Sequence, residues 1–169
     1  MLGVNLLFAG FALTLNGVSY LVPVDNKAKA CVNTFVGTII AINAVFQTAW
    51  ATDYVTFGFS AAMWLFALNY FIIAAHIFLE STNWKAFGLY GLFASIVSFT
   101  FMANTVITGG PVEMVYMWFM WAILWAQSFY SSFMGNEAID KYSPHILILN
   151  GIASTFVPGF MILLGMILN

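Results

Sequence analysis

The stretch Gly58 to Leu79, GFSAAMWLFALNYFIIAAHIFL, decides the fold. It holds no Asp, Glu, Lys or Arg, and it lies between Thr52-Asp53-Tyr54 and Glu80-Ser81-Thr82-Asn83-Trp84-Lys85. A bilayer core asks roughly 20 apolar residues of a helix, so residues 58–79 are predicted to span a membrane. Working outward, five more runs of the same kind are predicted at 2–22, 30–51, 87–107, 113–134 and 144–167, at about 28 residues per helix and loop. Pro23-Val24-Asp25-Asn26-Lys27, Thr108-Gly109-Gly110-Pro111 and the segment from Gly135 to Ser143 punctuate the rest. Pro111 and Pro144 fall where a first helical turn tolerates a missing N–H, and Ser143 reads as an N-cap. Pro158 predicts a kink in the last helix, with a freed carbonyl near its own level. The first run lacks a basic leader and ends in Pro-Val-Asp, so it reads as a span and not as a cleavable signal.

Composition agrees. Of 169 residues, 63% are hydrophobic, 18% aromatic and 6% charged, with a mean hydropathy of +0.96. A soluble domain carries about 25% charged residues; a soluble enzyme, a nucleic-acid binder and a disordered tail are thereby excluded. The four cations are Lys27, Lys29, Lys85 and Lys141, too few and too scattered to form a phosphate-binding patch. Cys31 is the single cysteine, and no His/Cys cluster has metal-site spacing. No metal or other cofactor is expected. All four lysines lie in the turns after helices 1, 3 and 5 or at the adjoining helix ends, and short Lys-bearing loops stay in the cytoplasm. Both termini, Asp53 and Glu113 therefore face outward. The reading is an all-α polytopic membrane protein: one domain over residues 1–169, six helices in three hairpins that each turn at a lysine.

No ionisable residue falls at mid-depth, where such groups mark ion paths and proton relays. A pump, a proton-coupled carrier or a voltage sensor is disfavoured on that ground, and no coupling ion is expected. Neutral polar residues recur instead: Asn16, Asn33, Asn43, Gln47, Asn69, Asn104, Gln127 and Asn150. Either they knit helices by hydrogen bonds, or some of them line a path for a solute needing neutral donors and acceptors. Three stripes bear on the choice. On helix 1, Leu2, Leu6, Ala9, Leu13 and Asn16 recur at steps of three and four, beside Gly3, Gly10 and Gly17, whose smallness suits close helix packing. On helix 3, Phe66, Asn69, Tyr70, Ile73 and His76 share a face. On helix 5, Trp118, Trp121 and Trp125 stand at i, i+3 and i+7; Trp118 suits an interfacial belt, whereas Trp121 and Trp125 lie deeper and are either core or the lining of a slot. A planar neutral amide could slide between such rings, while an apolar constriction leaves a stripped ion unrepaid.

Several segments, taken in order, are familiar. The opening Met1-Leu2-Gly3-Val4-Asn5-Leu6-Leu7-Phe8-Ala9-Gly10 with Leu15-Asn16-Gly17 resembles the start of the UreI/AmiS family of bacterial urea and short-chain amide channels. So do Val24-Asp25, Val32-Asn33-Thr34-Phe35-Val36-Gly37, Phe66-Ala67-Leu68-Asn69-Tyr70, Trp121-Ala122-Ile123-Leu124-Trp125 and Phe156-Val157-Pro158-Gly159. Ala74-Ala75-His76-Ile77-Phe78-Leu79-Glu80 is similar to the amide-channel form. The resemblance implies a hexameric ring with one pore per protomer in the bacterial inner membrane. It implies a pore lined by Leu2, Leu6, Leu13, Asn16, Phe66, Tyr70, Trp118, Trp121, Leu124 and Trp125, to which Asn69 and Asn150 are added here.

Three positions depart from the family pattern. Asn69 stands where relatives usually carry Thr, and His76 where they carry Asn. Asn150 occupies a site that is acidic in the acid-gated urea channel, whose long histidine-rich outer loops are missing here. A histidine sensor of external acid must sit outside, yet His76 and His145 both map to the cytoplasmic side. The expectation is therefore a non-enzymatic, passive urea channel feeding a cytoplasmic urease and open regardless of external pH. Asp53 and Glu113 are the remaining outer acids that could modulate it, and His76 reads as a hydrogen-bonded interfacial residue before a gate. The alternative permeant is acetamide or formamide, serving an amidase. A non-transporting scaffold would give no flux above bare lipid, and an intramembrane enzyme lacks a nucleophile or acid pair at matching depth.

Overall fold

The structure is a computed structural model describing residues 1–168. Every regular element among them is helical: α1 (Leu2–Val18), α2 (Asn26–Trp50), α3 (Tyr54–Phe78), α4 (Lys85–Ile107), α5 (Val112–Ser128), α6 (Glu137–Leu149) and α7 (Val157–Leu163). Two π-helical turns, wound wider than an α-helix, prolong α5 over Phe129–Phe133 and join α6 to α7 over Asn150–Phe156. The last three pieces form a sixth rod, Glu137–Leu163. α2, α3, α4 and this rod are long and apolar enough to cross a bilayer; α1 is apolar but shorter, at 17 residues. The chain is a multi-pass membrane protein.

Two compact units compose it. The smaller holds α2 and α3, from Val24 to Thr82; the larger holds α1 together with everything from Asn83 on. In the smaller unit α2 and α3 pack along their length, with Gly37 against Phe71 and the Ala67 carbonyl. Thr48 Oγ1 donates to the Ala44 carbonyl at 2.7 Å and accepts from the Ser60 hydroxyl, whose oxygen lies 3.4 Å from the same carbonyl. Asp53 caps α3: its Oδ1 accepts the Thr56 N–H at 2.9 Å while Thr56 Oγ1 accepts the Asp53 N–H at 3.3 Å.

In the larger unit α4 packs on α5, and α1 runs antiparallel to the sixth rod. The tight pairs are thus α2 with α3, α4 with α5 and α1 with the last rod, so the closest packing does not follow the lysine-bearing turns. Small residues explain the α1 contact. A β-carbon on Gly10 would lie 2.5 Å from the Phe156 nitrogen and 2.6 Å from the Gly151 carbonyl, and one on Gly159 2.7 Å from the Leu7 nitrogen. Gly3 approaches the Gly159 carbonyl, and Gly17 that of Pro144. The glycine column serves packing, as its spacing suggests. Gly10→Ala pits a methyl against two backbones that cannot swing aside, and is expected to lower stability by about 1–3 kcal/mol or more. Thermal unfolding in detergent measures this, and an unchanged midpoint would contradict the seam.

Four sequence expectations are corrected or refined. α1 stops at Val18, not residue 22: tightened turns carry Tyr20 N–H to the Gly17 carbonyl and Leu21 N–H to that of Val18, ahead of Val22, whose helical conformation Pro23 disfavours. The sixth rod begins at Glu137, not 144, because Asn136 is the N-cap, its Oδ1 accepting the Ile139 N–H at 3.2 Å. Gly135, at φ +65°, supplies the left-handed residue that turns the chain into it. Pro144 accordingly lies inside α6, and Ser143 is no cap: it donates to the Ile139 carbonyl. At Pro158 the helix widens before the ring, with the Val157 N–H reaching back five residues to the Ile152 carbonyl. That winding accommodates a proline whose ring would crowd the carbonyl four residues earlier.

Candidate functional site

In the larger unit α5 packs on both α4 and the sixth rod. Its contacts with α4 fall on one side: Ser95 Oγ donates to the Ala122 carbonyl at 2.9 Å, Gly91 stands against the Trp125 carbonyl, and Phe101 stacks on Trp118 at 4.8 Å and 18°. Its contacts with the sixth rod fall on another: Gln127 Nε2 donates to Ser143 Oγ at 2.5 Å, and Tyr116 OH to the Ala153 carbonyl at 3.4 Å. Between these two sides runs a third, carrying Met114, Met117, Trp121 and Leu124 at steps of three and four. All four are buried, Met117 completely. This face holds a continuous apolar strip with one indole at its middle.

The tryptophans separate. Trp118 has one ring face taken by Phe101 and meets Trp121 edge to face at 5.0 Å and 86°. It is buried, so it does not belong to an interfacial belt. Trp121 and Trp125 are each 1% exposed. Sequence reading passed over Phe101, Met114 and Met117. The first needs the α4–α5 register to be known; the other two were available from their spacing to Trp121, but methionine is an all-purpose core filler.

On α1, Leu6, Leu13 and Asn16 are buried and Leu2 is half-buried. They stand beside the glycine seam, and Gly159 of the sixth rod touches Leu6. In the same unit, the antiparallel pairing puts Gly151 against Thr14. Asn150 is therefore level with the middle of α1, and about a turn from Trp121 on α5 when gauged from the Tyr116 and Gln127 contacts. Its amide is held within its own rod: Nδ2 donates to the Ile146 carbonyl at 3.1 Å, and Oδ1 accepts from Ser154 Oγ at 3.1 Å.

In the smaller unit Phe66, Asn69 and Tyr70 are all buried on one face of α3. His76, half-buried, sets Nδ1 3.0 Å from the Ile72 carbonyl. Only a donor bonds a carbonyl, so Nδ1 carries the proton. The ring is thus hydrogen-bonded within its own helix. Asp53 is exposed, and the Thr56 backbone N–H holds its carboxyl below the usual range, against a smaller opposing effect of desolvation. Glu113 is half-buried in the first turn of α5, where the helix N-terminus favours an anion.

The AmiS/UreI family of transporters matches residues 1–166. The acid-activated urea channel of Helicobacter pylori (strain J99 / ATCC 700824) is 28% identical over 200 aligned positions, covering 96% of this chain and 97% of that protein. Ninety-six per cent of 169 residues cannot fill 200 positions, so that channel has a substantial complement of residues this chain lacks. A Mycolicibacterium smegmatis protein named as a candidate transporter of amidate substrates is 23% identical over 166 residues, 96% of this chain and 76% of that protein. The crystal structure of the H. pylori urea channel superposes with a TM-score of 0.83 at 25% identity, covering 98% of both chains. Its closed state, solved by electron cryomicroscopy, shares the fold with a TM-score of 0.81 at 22% identity, over 99% of this chain and 100% of that one.

Proposed function

The chain belongs to the AmiS/UreI family of transporters, and from that premise we propose that it is a passive channel for urea in a bacterial inner membrane, with no enzymatic activity. The observation that carries the reading is the chemistry of what is buried: among the described residues every buried polar side chain is neutral, Asn16, Asn69, Gln127 and Asn150 included. A solute entering that interior meets dipoles and rings but no charge. Trp121 and Trp125 form the aromatic slot, flanked by Trp118; Leu2, Leu6, Leu13 and Leu124 form dry constrictions; Asn16 and Asn150 supply the hydrogen bonds. Phe66, Asn69 and Tyr70 on α3 offer the same chemistry. The whole chain works as one channel domain with both termini outside, and closes into a hexamer whose urea serves a cytoplasmic urease. Acetamide or formamide is the second reading, favoured by the amidate-named relative. Uptake of urea, acetamide and glycerol into proteoliposomes tests both. Urea fastest supports the first, acetamide fastest the second, and uptake equal to bare lipid refutes both.

The channel is proposed to stay open regardless of external pH. Asp53 is depressed below the usual carboxylate range by its cap bond, so it remains ionised between pH 7.5 and pH 5. Its contribution to the cap is present above that range and is lost only as pH falls through the depressed value. Urea uptake is expected to be the same within about two-fold at the two pH values, and Asp53→Asn, which still caps a helix, is expected to leave it so. A tenfold rise at pH 5 would overturn the claim.

A further inference from the structure

The π turn of the sixth rod concentrates polar groups where α5 and the middle of α1 are nearest. Asn150, Ser154 and Thr155 are buried to 1%, 0% and 0% exposure. Two hydroxyls converge on one carbonyl: Ser154 Oγ and Thr155 Oγ1 each reach the Asn150 oxygen at 2.8 Å, and lie 3.4 Å from one another. They differ in one respect. Ser154 Oγ also meets Asn150 Oδ1 at 3.1 Å, whereas Thr155 Oγ1 meets the Asn150 main chain and the Ser154 hydroxyl but not the amide.

The amide orientation follows. Nδ2 faces the Ile146 carbonyl, which only a donor can do, and Oδ1 faces a hydroxyl whose proton points to it or to the adjacent carbonyl. Within the rod Nδ2 is engaged once, and Oδ1 at most once, by the single Ser154 proton. An amide has two N–H groups and two oxygen lone pairs, so one of each is left for a molecule passing at mid-membrane. Resting on the channel reading above, we propose that Ser154 is a positioning residue: its hydroxyl fixes the Asn150 amide so that the remaining N–H and lone pair meet a neutral permeant offering both a carbonyl and an N–H. The π winding serves this arrangement by bringing residues 154 and 155 together onto one carbonyl, and such insertions concentrate at functional positions.

Permeability of urea and of glycerol, measured on the same proteoliposomes, tests it, because their ratio is independent of how much protein is inserted. Ser154→Ala is expected to lower the urea-to-glycerol ratio about five-fold, the scale of one lost neutral hydrogen bond. Ser154→Thr restores the hydroxyl and the wild-type ratio. Thr155→Val removes a bond to the main chain and a long contact with the Ser154 hydroxyl, neither to the amide itself, and is expected to leave the ratio within two-fold. If Ser154→Ala yields no folded protein, Ser154→Cys, a weaker donor, is expected to lower the ratio by a smaller factor. An unmoved ratio in Ser154→Ala or Ser154→Cys overturns the proposal while leaving the channel reading intact. Equal shifts in Ser154→Ala and Thr155→Val overturn it too, since the backbone would then be responsible. Wild-type uptake no greater than bare lipid overturns both readings together.

Discussion

Planar bilayers carrying this protein are expected to pass no measurable Na⁺ or K⁺ current under conditions in which urea equilibrates rapidly. A discrimination of about four orders of magnitude follows from a difference near 5.5 kcal/mol, well within the several kcal/mol that an ion loses on leaving water unpaired. Nothing among the buried groups repays that loss. The described acids and lysines lie in the turns or within the first turns of helices, and the interior polar groups are amides and hydroxyls. An amide or hydroxyl oxygen offers a cation one or two contacts, where a selectivity filter offers a ring of carbonyls. Urea loses far less, because each of its hydrogen bonds with water can be exchanged for one with an asparagine or a ring face. Glycerol is the informative neutral control: if it crosses as fast as urea while ions are still refused, exclusion comes from dryness alone and the asparagines contribute no selectivity. Robust single-channel current carried by either cation would remove the physical basis of the channel reading.

How far the residues announced this arrangement depends on which force sets each feature. Apolar length is a local property, and the span read at 58–79 begins four residues inside α3 and ends one residue past it. Helix packing was legible where one residue type permits nothing else, as at Gly10, where any side chain would enter a neighbouring backbone. Proline misled. Pro144 looks like a helix start because its missing N–H is harmless there, but Asn136 caps earlier, and Glu137 and Asp140 suit the first turn electrostatically. The π turn over Asn150–Phe156 gave no signal, since its winding goes with Pro158 and with two hydroxyls finding one carbonyl, not with a period of 3.6. The stripes on α1, α3 and α5 were visible, and their side chains are buried except for the half-buried Leu2, Ile73 and His76. What periodicity could not do was divide the tryptophans, because Trp118 and Trp121 differ only in which neighbour covers them. The stack of Phe101 on Trp118 is a tertiary fact.

That division yields the sharpest test of the slot. An indole that merely fills a core costs about 3–5 kcal/mol when cut to alanine, because the cavity left behind stays empty. An indole bordering a solute path costs less, since water or permeant enters the space, but it removes a selective contact worth about 0.5–1.5 kcal/mol per aromatic pairing. Trp118→Ala is therefore expected to behave as a core truncation, lowering thermal stability sharply, since its partner Phe101 loses a stacked ring. Trp125→Ala is expected to do the reverse. Its main chain stays gripped by α4, whose Gly91 lies against the Trp125 carbonyl, so the amount of folded protein remains within about two-fold, while the urea-to-glycerol ratio falls about tenfold, the upper end of that aromatic contact energy. Unfolding midpoints in detergent and paired permeabilities on the same vesicles measure both quantities. Loss of stability at Trp125 with an unchanged ratio would make it core, and the slot would then have to be sought along Met114, Met117 and Trp121.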